Sequence, residues 1–241
     1  MLRRPGAAAT LAAAVVVATT ASLGSWQLRR AEEKVALQAR RDAALAAAPI
    51  DLAGAAADAA SLDGRRVAVR GTFDAARTVF LDNRTHRGAA GFHVLAPLRV
   101  EGGERTVMVL RGWIARDAAD RARLPPLRTP EQPVHVEGVA IAELPQPVLL
   151  GDAGSAAEAG GRLLQRYDAG GYARWSGLEP MPVVVRQLSE LPDGLVRDWV
   201  APGSGVDKHR GYAFQWFAMS ATALALWLWF GVLRPARPPA P

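Results

Sequence analysis

Residues 212–233, YAFQWFAMSATALALWLWFGVL, form an apolar stretch of 22 residues that contains no Asp, Glu, Lys, Arg or Pro. Residues 7–28 form a second stretch of the same length and kind. As a helix, each would span about 33 Å, enough for the roughly 30 Å hydrocarbon core of a bilayer. The sequence therefore predicts transmembrane helices over residues 7–28 and 212–233, and it disfavours a soluble cytosolic enzyme.

The first apolar stretch has two interpretations. It follows a short basic start, and Thr19-Thr20-Ala21 before Ser22 offers the small residues of a signal-peptide cleavage site. However, the stretch continues to Trp26-Gln27-Leu28, beyond the length of an ordinary signal-peptide core. We favour a retained anchor over a cleaved signal peptide.

The distribution of charge predicts orientation and excludes a class of partner. Arg3, Arg4, Arg234 and Arg237 lie outside the apolar stretches, which leaves 25 basic and 23 acidic residues between them. A nucleic-acid-binding domain would concentrate positive charge on itself, so nucleic acid is excluded as a partner. Basic tails mark the cytoplasmic side, so both termini, including a tail at residues 234–241, are predicted to be cytoplasmic. The absence of cysteine excludes disulfides and thiolate metal ligands.

The region between the apolar stretches is predicted to be mostly β-structure. Residues 29–63 predict an exposed helix that ends before Pro49, followed by a connector with at most one helical turn. Residues 64–208 predict an extracytoplasmic antiparallel sheet or barrel, with one short helix at 117–124 and a flexible excursion at 151–161. The predicted strands are short and rich in β-branched or aromatic residues, at 67–73, 78–81, 92–100, 106–114, 134–142, 163–167, 183–188 and 195–200.

The sequence contains no common enzyme motif. It has no nucleophile elbow, no zinc-protease motif and no phosphate-binding glycine loop, and its four histidines lack the spacing of metal ligands. His93 and His135 alternate with apolar neighbours, which predicts that they face away from the core. We therefore predict that the protein is not an enzyme.

Two motifs in the central region place polar residues beside strands. In the first, Asp82 and Asn83 are explained by a turn between strands, whereas Arg84 is not. In the second, Arg111-Gly112-Trp113 lies inside an apolar strand, and an arginine buried there needs an oxygen partner. Asp82 is the candidate partner, so a structural ion pair between Asp82 and Arg111 is the first interpretation.

A third motif, His209-Arg210-Gly211-Tyr212, lies at the start of the second apolar stretch and is followed by Trp216. A neutral imidazole at the membrane surface, flanked by aromatic residues and an arginine, has the groups needed to ligate a haem iron and pair with a propionate. By itself, however, the motif is better explained as an ordinary polar residue beside a membrane helix.

Taken together, the motifs resemble the Surfeit locus protein 1 family of cytochrome c oxidase assembly factors. The similar segments occur in the family's order between the two anchors, at residues 23–30, 71–74, 80–84, 91–98, 109–113 and 209–217.

The resemblance implies a multi-pass protein of the cell inner (plasma) membrane that holds or delivers haem a for insertion into oxidase subunit I. Its implied partners are subunit I, the haem a biosynthesis enzymes and the lipid bilayer. Haem is implied near His209 and Trp216, with His209 as the iron ligand and Arg210 near a carboxylate. Two alternatives stay open: a membrane scaffold that contacts oxidase subunits without haem, and a hydrolase that uses Asp82 and His86.

Overall fold

The computed structural model describes residues 5–54, 58–120, 123–145, 161–199 and 205–233. The chain divides into two compact units, residues 1–41 with 201–241 and residues 42–200. The predicted tail at 234–241 and residues 151–160 of the predicted excursion lie outside the described residues.

The first unit is built on two long helices. Helix α1 (Ala7–Ala46) continues without a break through the polar segment and ends three residues before Pro49, as predicted. Helix α4 (Val206–Trp227) continues into a π-helical segment, Leu228–Leu233. It begins six residues before the apolar stretch and therefore includes His209. Both helices are long and apolar enough to cross a membrane.

The two helices run antiparallel. From one end to the other, Trp227 Nε1 lies 3.3 Å from Thr10 Oγ1, Ser220 donates to the carbonyl of Val17, and His209 meets Gln27. In these three contacts, the residue number on α1 rises as the residue number on α4 falls, so the two helices are antiparallel.

The second unit contains a closed five-stranded barrel. The strands are β1 (Ile50–Asp51), β2 (Arg66–Phe73), β3 (Val79–His86), β4 (Ala89–Val100), β5 (Thr106–Ala115), β6 (Val134–Ile141), β7 (Leu163–Leu164) and β8 (Pro180–Gln187). Strand β2 pairs with both β6 and β4, which closes the ring β2-β6-β8-β5-β4. Strand β3 extends the sheet beyond β4. The prediction of two membrane helices flanking a β-rich, barrel-like domain is confirmed.

The pairing within the sheet is mostly but not wholly antiparallel. Strands β5 and β8 pair in parallel, as do the two-residue strands β1 and β7 with β2 and β3. The parallel β5–β8 pair is part of the ring, so closure depends on a long crossover between these strands. Local sequence patterns carry no signal for that crossover.

Three apolar clusters pack on the sheet, and two of them lie on opposite faces. The barrel interior is filled by alternate residues such as Val67, Val69, Leu98 and Val109. The outer face of β3, β4 and β5 carries a second cluster, which includes Tyr172 from helix α3 (Ala169–Ser176). Because β5 is covered on both faces, it is buried continuously from its start through Trp113.

Several predicted local elements differ from the structure. Helix α3 was missed because it contains two glycines, although Asp168 caps its start and Gly177 ends it with a positive φ of 70°. A short helix, α2 (Ala59–Leu62), follows β1. The predicted helix at 117–124 is wrong for its described residues, 117–120 and 123–124, where the Asp117 carboxylate instead binds the backbone N–H of Ala119.

The predicted strand at 195–200 is also wrong in its described part. It is reduced to a single bridge between Val196 and Trp113. Conversely, residues 82–86, predicted as a turn, continue strand β3. A bulge between Leu81 and Arg84, with Asn83 at φ 57°, takes up the irregularity and allows the strand to continue.

Candidate functional site

The contact between α1 and α4 follows a seven-residue pattern. On α4, the less exposed positions recur at spacings of three and four, and on α1 the same spacing applies. The α4 positions are Val206, His209, Ala213, Trp216, Ser220, Ala223 and Trp227. The α1 positions with this spacing are Thr10, Ala13, Val17, Thr20, Gly24, Gln27 and Ala31, and Ala21, Leu23 and Ser25 beside them are also partly buried. Such spacing, with small residues at the contact, is typical of closely packed membrane helices. We call this contact the helix seam.

Two of the three predicted haem-site residues lie on the helix seam. His209 and Trp216 are both half-buried and stand seven residues apart, about two helical turns, on the face of α4 that meets α1. Arg210, the third, is exposed and lies outside the seam. The structure thus brings His209 and Trp216 to one helix face and leaves Arg210 beside them on the surface.

The side chain of His209 is joined to α1 by a hydrogen bond. Its Nδ1 lies 2.6 Å from Oε1 of Gln27, and because an amide oxygen can only accept, the bond forms when Nδ1 carries the proton. In a neutral imidazole, only one ring nitrogen carries a proton, so Nε2 then keeps its lone pair. Within the described residues, no hydrogen bond reaches Nε2. In this tautomer, the contact with Gln27 fixes the orientation of the imidazole ring, and Nε2 has a lone pair that can bind a metal ion.

Gln27 is the residue of this site to which sequence reasoning assigned no role. The sequence did contain a signal, because Gln27 continues the three-and-four spacing set by Val17, Thr20 and Gly24. That spacing places Gln27 on the contact face of α1, and a polar residue on such a face needs a partner.

The barrel motifs form a different kind of site. Arg111 is fully buried, and its guanidinium donates to Asp193, Thr129 and the carbonyl of Arg128 at 2.8–3.0 Å. Arg197 donates to the same Asp193 oxygen over 2.5 Å. The predicted pairing of Arg111 with Asp82 is therefore wrong. Burial lowers the pKa of Arg111 from its ordinary value, and the hydrogen bond and charge of Asp193 oppose that shift.

The neighbours of Arg111 hold the same distant segment. A Cβ added at Gly112 would lie 2.7 Å from Cβ of Leu195, so the crossing chain leaves room only for glycine. Trp113 exchanges two backbone hydrogen bonds with Val196, at 2.8 and 2.9 Å. Arg111, Gly112 and Trp113 therefore form a clasp, which we define as the contact of these three residues with residues 193–197.

The other barrel motif supports Trp113. The backbone carbonyl of Arg84 accepts a hydrogen bond from the indole of Trp113 over 2.8 Å. The Asp82 carboxylate binds the N–H of Asn83 at the bulge. The Arg84 side chain donates to the carbonyl of Gln165 at 3.4 Å, and burial lowers its pKa. Asp82 and Asn83 thus shape the backbone that positions Arg84.

Two of the barrel histidines pack against tryptophan rings. His86 packs on Trp113, with ring centroids 5.2 Å apart, and His93 meets the Trp199 ring edge-on at 5.5 Å. Burial, with smaller contributions from Arg84 and His86, lowers the pKa of His93 to about 4. Across the described ranges, no group of three or more His, Asp or Glu residues is arranged to hold a metal ion.

The amino-acid sequence is similar to known proteins over most of its length. The profile of the SURF1 family matches residues 14–221. A SURF1-like protein of Monosiga brevicollis is 26% identical over 231 residues, which cover 88% of this chain and 84% of that protein.

Two vertebrate proteins are similar over a shorter part. Surfeit locus protein 1 of Mus musculus is 30% identical over 116 residues, covering 42% of this chain and 38% of that protein. Surfeit locus protein 1 of Takifugu rubripes is 28% identical over 117 residues, covering 42% of this chain and 49% of that protein. The matched region spans less than half of either vertebrate protein. Because the family profile extends from within the first helix to within the second, this chain belongs to the SURF1 family.

Proposed function

We propose that this chain is a non-enzymatic assembly factor for cytochrome c oxidase, which holds or delivers haem a for insertion into oxidase subunit I. Membership of the SURF1 family supports the general role. The observation that carries the haem assignment is the surroundings of His209, a half-buried imidazole whose Nδ1 lies 2.6 Å from Oε1 of Gln27 and whose Nε2 has no hydrogen-bond partner among the described residues.

The residues present fit a haem group. Haem supplies an iron that accepts an imidazole nitrogen as axial ligand, and carboxylates that pair with cations. His209 offers Nε2 as that nitrogen. Trp216 contributes an apolar aromatic surface two turns along the same helix face, and the exposed Arg210 is free to turn toward a carboxylate. In this proposal, the His209 imidazole would bind the iron, the Trp216 ring would exclude water from the site, and the Arg210 guanidinium would orient the group through a carboxylate.

The experiment is to co-express the full chain with the haem a biosynthetic enzymes and measure haem content after detergent purification. We expect His209→Ala to remove most of the haem at near-normal protein abundance, and Trp216→Ala to remove less. His135→Ala is the matched control, because His135 is exposed in the barrel. Unchanged haem content and an unchanged Soret band in His209→Ala would contradict the assignment. Retained oxidase assembly would then favour a scaffold that does not contact haem.

The same proposal assigns an orientation in the inner (plasma) membrane. The basic residues Arg3, Arg4, Arg234 and Arg237 favour cytoplasmic termini and an extracytoplasmic central domain. A reporter fused after Pro241 is expected to be active only in the cytoplasm. A reporter inserted at Gly103, in the turn between β4 and β5, is expected to be active only outside. The reverse pattern would contradict this orientation.

A further inference from the structure

The hydrogen bond between Gln27 and His209 differs from the other polar contacts of the helix seam. Ser220 meets the carbonyl of Val17, and Trp227 meets Thr10, both at 3.3 Å. The Gln27–His209 bond is much shorter, at 2.6 Å, and joins residues 182 positions apart. Of these three contacts, it also involves a histidine, whose two ring nitrogens, Nδ1 and Nε2, are chemically distinct.

The direction of this bond determines which nitrogen of His209 is available. The amide oxygen of Gln27 has no proton to give, so Nδ1 must carry the proton that the bond uses. The proton cannot also reside on Nε2 while the ring is neutral. In metal sites, a ligating histidine almost always donates its second N–H to an oxygen, which fixes the orientation and tautomer of the ring. The contact between Gln27 and His209 has this form.

We propose that Gln27 is a positioning residue, which fixes His209 in the tautomer that has Nε2 free to bind the haem iron. The identity of the ligand rests on the proposed function. The tautomer of His209 does not, and it can be measured in protein that carries no haem.

The competing role for Gln27 is to hold the helices together. Gln27→Leu removes the oxygen and keeps a good helix former, whereas Gln27→Glu keeps an oxygen acceptor at the same position. Gln215→Leu is the matched control, because Gln215 is exposed on α4. Helix pairing is followed in each variant by adding Ala13→Cys and Ala223→Cys. The chain has no cysteine of its own, and both alanines line the groove between the helices.

The first measurement is the nitrogen-15 NMR spectrum of histidine-labelled, haem-free protein in detergent. We expect the neutral form of the His209 ring to carry its proton on Nδ1 in the unmodified chain, in Gln27→Glu and in Gln215→Leu. Gln27→Leu is expected to lose this preference while the engineered disulfide still forms. A neutral ring that carries its proton on Nε2 in the unmodified chain, or the same tautomer in Gln27→Leu, would overturn the proposal.

The second measurement is haem a affinity and the Soret position of the same variants. Loss of such a supporting hydrogen bond typically weakens metal binding about 10- to 100-fold, which is the effect expected for Gln27→Leu. Gln27→Glu is expected to restore binding. Affinity and spectrum unchanged in Gln27→Leu would overturn the positioning role. Haem retained by His209→Ala would instead overturn the proposed function, and the NMR result would still decide the tautomer.

Discussion

The barrel clasp and the helix seam both bury polar side chains, but they use them differently. In the clasp, Arg111 and Arg197 both point at one carboxylate, Asp193, and each of these three side chains is at most 1% exposed. In the seam, one nitrogen of His209 is bound to Gln27 and no described residue binds the other. The two regions therefore differ in whether every polar group of the contact has a partner among the described residues.

The largest effect is expected from removing the carboxylate of the clasp. Asp193→Ala leaves the guanidinium groups of Arg111 and Arg197 buried without it, which costs about 3–5 kcal/mol of unfolding free energy. Thermal unfolding of the detergent-solubilised chain, together with its abundance in membranes, measures the loss. Glu190→Ala is the control, because Glu190 meets Arg197 at 3.4 Å but is 82% exposed, and its loss should cost less than about 0.5 kcal/mol. Equal stability of the two variants would contradict the structural role of the clasp.

A second effect, of about 3 kcal/mol, is expected from pH. Burial lowers the pKa of His93 from 6.5 to about 4 in the folded protein. Below pH 6.5, the unfolded chain therefore binds a proton that the folded chain does not, so stability is present above pH 6.5 and lost as pH falls toward 4. The melting temperature measured between pH 7 and pH 4 should fall less steeply in His93→Gln than in the unmodified chain or in His135→Gln. The same slope in all three proteins would exclude His93 as its source.

Alanine substitutions at Gly112 in the clasp and at Gly24 in the helix seam test how rigid each region is. Gly112→Ala places a Cβ 2.7 Å from Leu195 Cβ, in a segment held by the clasp, and should cost about 1–3 kcal/mol. Gly24→Ala meets the ring of Phe217 at 2.9 Å, but this ring is 38% exposed and can turn aside, so the cost should be below about 1 kcal/mol. Gly103→Ala is the neutral control, with no atom closer than 3.9 Å. Melting temperatures in detergent give the order, and a larger cost for Gly24→Ala would reverse the comparison.

The smallest effect is expected for a seam hydrogen bond that does not involve His209. Ser220→Ala removes the 3.3 Å contact to the carbonyl of Val17, and interhelical bonds of this kind average about 0.6 kcal/mol. Cross-linking through Ala13→Cys and Ala223→Cys should therefore proceed nearly as in the parent chain, with haem content unchanged. A loss of haem comparable to that expected for Gln27→Leu would show that general seam stability, rather than the tautomer of His209, controls binding.

Local patterns were sufficient for the two long helices, for most of the barrel strands and for the family. Apolar length predicted both membrane helices, and the absence of Gly and Pro between residues 29 and 48 predicted the long extension of α1. Alternation predicted most of the barrel strands. Composition misled where a side chain competes with the helix, as at Asp117, or where caps outweigh poor propensity, as in α3.

The amino-acid sequence by itself thus determined two membrane helices, a β-rich domain between them and membership of the SURF1 family, because length, periodicity and ordered motifs are local properties of the chain. Tertiary structure alone decided the partner of Arg111, which lies 82 residues away, and the partner of His209, which lies 182 residues away. Both bonds depend on the path of the backbone. The parallel pairing of β8 with β5 brings Asp193, six residues after the end of β8, to Arg111, and the antiparallel register of the helices brings Gln27 to His209.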